Sequence, residues 1–204
     1  TGVDLFGNED VYFHVTTDHD RLCVTARALV AVDPPEPARL TTRAATTAWE
    51  SARLTGVDGA LDVDFVLDLV PPEITDEVHE YAAVSLTEGR PLVEAVFDLN
   101  HRIHTDFAYL SGSTTISTTV ADVLAARTGV CQDFARVAVA CLRSHGLAAR
   151  YVSGYLATQP PPGKERMVGV DAPHAWAAVR VPDGSWLAFD PTNDQWGDER
   201  YVTV

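Results

Sequence analysis

The hydrophobic pattern of this chain changes its period at His145-Gly146, and that change constrains the fold more than any other feature. In the stretch that begins at Cys131, apolar residues recur at helical spacing, and a histidine followed by a glycine is typical of a helix end. Beyond Gly146 the apolar residues alternate with a period of two, as strands do, over residues 149–156, 174–181 and 185–190. Helices followed by antiparallel strands predict an α+β domain.

The first third of the chain has the composition of strands and ends in proline-rich segments. Residues 11–15 and 22–32 are rich in β-branched and aromatic residues and predict two antiparallel strands, the second of which is stopped by prolines. Pro71-Pro72 forms the clearest boundary, because proline disfavours helix just before it and a helical pattern starts soon afterwards. We therefore expect a small β-rich N-terminal domain over residues 1–72 and a second domain, of helices packed on an antiparallel sheet, over residues 73–204.

The second domain is expected to open with three helices. Thr75 can cap the first of them, Pro91 suits the first helical position of the second, and Thr118 or Thr119 can cap the third. Just before these helices, the apolar residues of 63–67 predict another strand or extended segment. Trp49 is predicted to be a core or an interdomain anchor.

Composition excludes several classes of function. The 204 residues are 46% apolar, which is enough for a buried core, and the net charge of −14 argues against nucleic acid or an anionic membrane as a partner. The three cysteines match neither a zinc site nor a disulfide framework, so a reduced, cytoplasmic setting is expected. The sequence contains no run of about 18 apolar residues, so no membrane span is predicted. Neither a cofactor nor a metal is expected.

Cys131, His174 and Asp190 form the outline of a nucleophilic site. A thiol attacks as the thiolate, which a helix N-terminus and a nearby histidine stabilise. Gly129 can supply a left-handed or tight backbone that lets the thiol of Cys131 point outward at the start of its helix. An aspartate beside His174 would fix the tautomer of the imidazole and stabilise the imidazolium that pairs with the thiolate.

The contact between His174 and Asp190 depends on the register of a predicted hairpin. A strict two-residue Asp183-Gly184 turn would pair Ala177 with Asp190 and put His174 on the opposite face of the sheet. A three-residue loop or a bulge would pair Trp176 with Asp190 and place His174 diagonally next to the carboxylate. We therefore predict the odd-numbered connection.

Four motifs in order resemble those of the transglutaminase-like superfamily, specifically its bacterial branch of predicted cysteine proteases. They are Gly-Val-Cys131-Gln-Asp-Phe-Ala, Leu147-Ala-Ala-Arg-Tyr-Val-Ser-Gly-Tyr-Leu, His174-Ala-Trp and Phe189-Asp-Pro-Thr-Asn. The stretch from Gly7-Asn8 to Val32 is similar to the β-rich N-terminal part of the same branch. The family typically continues past this aspartate with further strands, whereas the present chain runs only to Val204.

The resemblance implies a papain-like core in which Cys131 is the nucleophile, His174 the general base and acid, and Asp190 the orienting residue. Tyr109 occupies the position ahead of the nucleophile from which a hydroxyl can donate to an oxyanion. Trp176, Trp186 and Trp196 follow near the expected site, where lining an acyl-acceptor cleft and ordinary core packing are equally good interpretations.

The expected function is therefore cysteine-dependent acyl transfer at an amide bond of a peptide or protein substrate, through a thioester. Hydrolysis by a peptidase or amidase is favoured. The alternatives are a protein-glutamine amine transferase, which shares all steps up to the thioester, and a non-catalytic binding module on the same fold. A metal site at His101 and His104 is disfavoured because no third ligand is evident. The oligomeric state stays open.

Overall fold

The computed structural model describes residues 1–3, 9–25, 27, 29–55, 62–69, 71–157, 163, 167–168 and 173–204. The chain divides into two compact units, Thr1–Ala31 with Val204, and Val32–Thr203. This division falls well before Pro71-Pro72, so the domain boundary expected there stays a prediction.

The first unit contains little regular structure in its described residues. Strand β1 (Gly2–Val3) pairs antiparallel with β2 (Glu9–Asp10). The two strands predicted over 11–15 and 22–32 are wrong for the described residues of those ranges, which form neither helix nor strand. Their apolar side chains are largely exposed, as at Tyr12 and Leu29. Gly7-Asn8, part of the family resemblance, lies outside the described residues.

The second unit begins with short helical turns. They are 3₁₀ turns at Pro37–Leu40, Trp49–Ala52 and Val63–Phe65 and a one-turn helix α1 at Arg43–Thr46. The last of the 3₁₀ turns corrects the strand predicted over 63–67. Trp49 is buried and donates its indole N–H to the carbonyl of Thr87 at 2.8 Å, so its predicted role as a core anchor is confirmed.

Four longer helices follow: α2 (Asp76–Ala83), α3 (Leu92–Asp106), α4 (Val120–Ala126) and α5 (Cys131–Ser144). Thr75 caps α2 through the N–H of Val78, and Thr119 caps α4 through the N–H of Asp122, as predicted. Pro91 is the N-cap of α3 rather than its first helical residue. Among the described residues, no helix combines the length and apolar character that crossing a bilayer requires.

The C-terminal part of this unit is an antiparallel sheet of five strands. They are β5 (Ala149–Leu156), β6 (His174–Arg180), β7 (Trp186–Asp190), β8 (Gln195–Trp196) and β9 (Tyr201–Thr203), in the spatial order β8-β7-β6-β5-β9. A short parallel pair, β3 (Ala108–Tyr109) with β4 (Thr128–Gly129), lies outside it. Helix α5 packs against β5 and β6 with an almost wholly buried surface. The predicted α+β class, with helices packed on an antiparallel sheet, is confirmed.

The register of the β6–β7 hairpin is the predicted one. Ala177 pairs with Phe189 and Arg180 with Trp186, so the register places Trp176 opposite Asp190. The connection is the three-residue loop 182–184, closed by the N–H of Val181 donating to the carbonyl of Ser185 at 2.8 Å. Gly184 supplies the left-handed residue of this loop, with φ of 90°. The odd-numbered turn therefore brings His174 and Asp190 to one face of the sheet.

Candidate active site

Cys131 is the first residue of α5, and its neighbours fix the start of that helix. Asp133, in the first turn, accepts the backbone N–H of Val130 at 2.9 Å. Gly129 has no left-handed backbone, but a Cβ there would lie 2.9 Å from the Cβ of Asp133 and 3.2 Å from the ring of Phe134. Glycine is thus required at 129 for space rather than for its backbone angles. The Cys131 side chain is only 7% exposed.

His174 and Asp190 are in direct contact inside the protein. Nε2 of His174 lies 2.8 Å from Oδ2 of Asp190, and neither side chain has exposed surface. The other ring nitrogen, Nδ1, is buried and makes no hydrogen bond of standard geometry with the described residues. Since Nε2 is engaged by the carboxylate, Nδ1 is the nitrogen available to the thiol of Cys131.

Both Asp190 and Cys131 affect the charge state of His174. Burial disfavours the imidazolium, but the hydrogen bond to Asp190, the nearby side chain of Cys131 and the charges of both groups outweigh it. They raise the pKa of His174 to about 9. The imidazolium form of His174 is therefore favoured at neutral pH.

Asp190 is held by more groups than the sequence indicates. Its Oδ1 accepts the backbone N–H of Thr192 at 2.8 Å and that of Asn193 at 3.3 Å. Its Oδ2 accepts the side-chain amide of Asn193 at 2.7 Å and the hydroxyl of Tyr201 at 2.8 Å, in addition to His174. Asn193 could have been noticed as part of the Asp-Pro-Thr-Asn motif. Nothing in the sequence pattern pointed to Tyr201, which only the pairing of β9 with β5 brings here.

Two tyrosines lie close enough to Cys131 to sense its charge. Tyr109, predicted as an oxyanion donor, sits in β3 opposite Gly129 and is 44% exposed. Partial burial and then the charge of Cys131 raise the pKa of its hydroxyl. Tyr151 in β5, which the sequence did not indicate, is 40% exposed, and burial followed by the charge of Cys131 raises its pKa likewise. Both tyrosines are therefore partly exposed and within electrostatic range of Cys131.

Trp176 is not an accessible substrate contact. Its side chain is 1% exposed, and its ring packs edge-on against Tyr201 with centroids 5.1 Å apart. It also stacks beside His174 at 6.1 Å. Of its two interpretations, core packing is the one that the structure supports. Trp186 and Trp196 are partly buried, against Phe65 and Phe97 respectively.

The remaining candidates do not join the site. No group of three or more potential metal ligands occurs among the described residues. His101 instead contacts Asp194 at 2.7 Å, and His104 contacts the carbonyl of Thr192 at 3.0 Å, so both tie the segment after Asp190 to α3. Cys141 is fully buried, as expected of a core position, whereas Cys23, expected in a core as well, is exposed.

A family model and a curated protein sequence are similar to this chain. The family model of the transglutaminase-like superfamily matches residues 80–191, a range that contains Cys131, His174 and Asp190. The uncharacterized protein Rv2569c of Mycobacterium tuberculosis is 58% identical over 208 residues, which cover 100% of this chain and 66% of that protein. The chain thus spans just under two thirds of the length of this relative.

Two further similarities concern parts of the chain. The structure of a "putative cysteine protease" from Cytophaga hutchinsonii covers 72% of this chain and 48% of its own with a TM-score of 0.54, at 24% identity, and shows a shared fold. A segment of 67 residues is 36% identical to the protein-glutamine gamma-glutamyltransferase of Pseudomonas aeruginosa, over 32% of this chain and 10% of that protein.

Proposed function

The chain belongs to the transglutaminase-like superfamily, and from this premise we propose that it is a cysteine-dependent acyl-transfer enzyme that acts on amide bonds of a peptide or protein. The observation that carries the proposal is the buried His174, which contacts Asp190 at 2.8 Å through Nε2 and keeps Nδ1 for Cys131. A cysteine at a helix start, a cationic histidine and a buried carboxylate are the groups that thiol acyl transfer needs.

The first half of the reaction forms a thioester. The thiolate of Cys131 attacks the amide carbonyl carbon, and the carbonyl oxygen becomes an oxyanion. The backbone N–H groups of Cys131 and Gln132 precede that of Asp133, which is the first to donate to the carbonyl of Val130, and they can stabilise the oxyanion together with the hydroxyl of Tyr109. As the C–N bond breaks, His174 gives its proton to the leaving amine and becomes neutral.

The second half releases the acyl group. Neutral His174 takes a proton from the incoming nucleophile, which attacks the thioester carbonyl and expels the thiolate of Cys131. If the incoming nucleophile is water, the product is a carboxylic acid and the enzyme is a peptidase or amidase. If it is a primary amine, the product is a new amide and the enzyme is an amine transferase. We propose hydrolysis as the main reaction; the segment similar to the glutamyltransferase supports transfer as the second candidate.

Alkylation of the three cysteines tests the nucleophile without a known substrate. At pH 6 we expect iodoacetamide to modify Cys131 faster than the exposed Cys23, and the buried Cys141 to stay unmodified, as followed by mass spectrometry. In a His174→Ala variant the rate at Cys131 should fall to or below that at Cys23. Equal rates at Cys131 and Cys23 in the unaltered protein would instead favour a binding module without turnover.

A panel of peptides and a fluorescent primary amine distinguishes the two reactions. New amino groups or ammonia without incorporated label indicate hydrolysis, and covalent label on the substrate indicates transfer. Both signals should vanish in Cys131→Ala, whereas Cys23→Ser serves as the matched control and should keep them. Activity that survives Cys131→Ala would overturn the proposal. A Tyr109→Phe variant should lower kcat by about 10²-fold if its hydroxyl stabilises the oxyanion.

A further inference from the structure

One carboxylate oxygen near the nucleophile accepts three side-chain donors. Oδ2 of Asp190 lies 2.8 Å from Nε2 of His174, 2.8 Å from the hydroxyl of Tyr201 and 2.7 Å from Nδ2 of Asn193. The reaction proposed above uses only the first of these contacts. The other two come from residues that follow Asp190 in the chain and that approach the same oxygen.

We propose, building on the proposed function, that Tyr201 and Asn193 are positioning residues, whose two donors on Oδ2 of Asp190 hold the carboxylate in place and limit how strongly it retains the proton of His174. Neither is assigned a contact with the thiol or with a substrate. Their effect passes through Asp190 to His174, and so to the proton that the leaving amine receives.

Neighbouring groups fix the direction in which Tyr201 donates. Arg200, which has only donors, donates to Oε1 of Gln195 at 2.9 Å, so the amide nitrogen of Gln195 faces the other way. That nitrogen lies 2.7 Å from the hydroxyl oxygen of Tyr201 and donates to it. The hydroxyl then has its own hydrogen left for Asp190. The Tyr201 ring is buried against Trp176, which keeps it in place.

The orientation of Asn193 is fixed in the same way. Its Oδ1 accepts the backbone N–H of Val168 at 2.8 Å, and a backbone N–H can only donate. Its amide nitrogen is therefore the atom that faces Asp190. Two donors, each oriented by a second contact, are thus directed at one oxygen.

The charges that act on this cluster come from a small set of groups. Cys131 and Asp190 face His174, and Asp190 and Asp198 face Tyr201, while Arg200 is paired with Asp198 at 2.6 Å. Burial, and then the charge of Asp190, raise the pKa of Tyr201 far above its usual range. The tyrosine therefore remains a neutral donor over the whole range in which His174 titrates.

The expected effect has a definite sign. Donors to Oδ2 stabilise the pair of Asp190 and neutral His174, which carries a net negative charge, more than the protonated pair. Loss of either donor should therefore raise the pH at which His174 loses its proton. Because the donors are present in both protonation states, only the difference in their strength shifts the midpoint, so we expect a shift of a few tenths of a pH unit and at most roughly 1 unit.

The test is an NMR titration of the His174 imidazole in Tyr201→Phe and in Asn193→Ala. We expect both midpoints to move upward by the amount given above; Tyr201→Phe keeps the aromatic ring, so it removes the hydroxyl donor alone. Tyr155→Phe is the matched control, since Tyr155 is half exposed in β5 opposite Val202, and its midpoint should equal that of the unaltered protein. An unshifted or lowered midpoint in the folded variants would overturn the proposal.

The design separates this inference from the proposed function. If Tyr201→Phe does not fold, Asn193→Ala carries the test, because it removes a donor from the same oxygen. Shifted midpoints in a protein that cleaves or transfers no amide would overturn the proposed function and leave the positioning role. Amide turnover with unshifted midpoints would overturn the positioning role of Tyr201 and Asn193 and leave the proposed function in place.

Discussion

Asp133 accepts the backbone N–H of Val130 and the hydroxyl of Thr114 on the same carboxylate oxygen, at 2.9 Å and 2.7 Å. The Asp133 side chain is 5% exposed. Because Val130 directly precedes Cys131, this carboxylate determines where α5 begins and thus where the thiol lies.

Replacing Asp133 by alanine should therefore destabilise the protein by about 2 kcal/mol, since it removes a helix cap and leaves the partly buried N–H of Val130 without its acceptor. Asp122 offers a matched control, because it accepts the N–H of Thr119 at 2.9 Å at the same position of α4 but is exposed. Urea unfolding of both variants should show a clearly smaller loss for Asp122→Ala. Equal losses would contradict the special role given to Asp133.

The raised pKa of His174 makes stability depend on pH in a predictable direction. The imidazolium is favoured in the folded state up to about pH 9, against 6.5 for an ordinary histidine. The stabilisation is fully present below about pH 6.5 and is lost as the pH rises through 9. In Asp190→Asn the NMR midpoint of His174 should fall, because the hydrogen bond to a carboxylate and its charge are lost.

The same spectra contain an internal reference for that titration. Burial, and then the neighbouring imidazole of His79, lower the pKa of His145. His145 should therefore titrate below 6.5, and Asp190→Asn should leave its midpoint unchanged. A midpoint of His174 near that ordinary value in the unaltered protein would show that its contact with Asp190 does not control its charge.

An added methyl group at Gly129 should disturb the site through space alone. Its Cβ would approach Asp133 Cβ to 2.9 Å and Oδ2 to 3.0 Å, and the neighbours are side chains packed in the interior. We expect Gly129→Ala to cost about 1–3 kcal/mol in urea unfolding and to slow alkylation of Cys131. A variant of unchanged stability and reactivity would show that Asp133 and Phe134 can move aside freely.

The two cysteines outside the site should respond differently to replacement by serine. Cys141 is fully buried, and burial raises its pKa to about 12. Cys141→Ser should therefore cost about 1–3 kcal/mol, because a hydroxyl is harder to bury than a thiol. Cys23→Ser, at an exposed position, should leave the unfolding midpoint unchanged. The opposite order would contradict the burial found for these side chains.

Local signals were enough to predict several helix starts. Thr75 and Thr119 reveal two helix starts, because a hydroxyl that accepts a first-turn N–H acts within three residues. The β6–β7 register is a different case, because Pro182-Asp183-Gly184 allows a two-residue or a three-residue turn, and the odd-numbered one is predicted only because it brings His174 to Asp190. The contact of His174 with Asp190 follows from that register.

Features that depend on distant partners could not be predicted in this way. Residues 11–15 have strand composition, yet a strand forms only where another lies beside it, and composition does not say whether one does. The short apolar run at 63–67 fits a strand and a helical turn equally well. Tyr201 reaches Asp190 only because β9 pairs with β5, a contact between segments far apart in sequence.

Strand β9 lies beside β5, although β8 precedes it in the chain and sits at the opposite edge of the sheet. During synthesis on the ribosome, a nascent chain that has reached Asp190 already contains the cysteine, the histidine and the carboxylate. It still lacks the hydroxyl that Tyr201 donates to that carboxylate. The order of translation therefore leaves the surroundings of Asp190 incomplete until β9 has been made and has crossed the sheet to its partner.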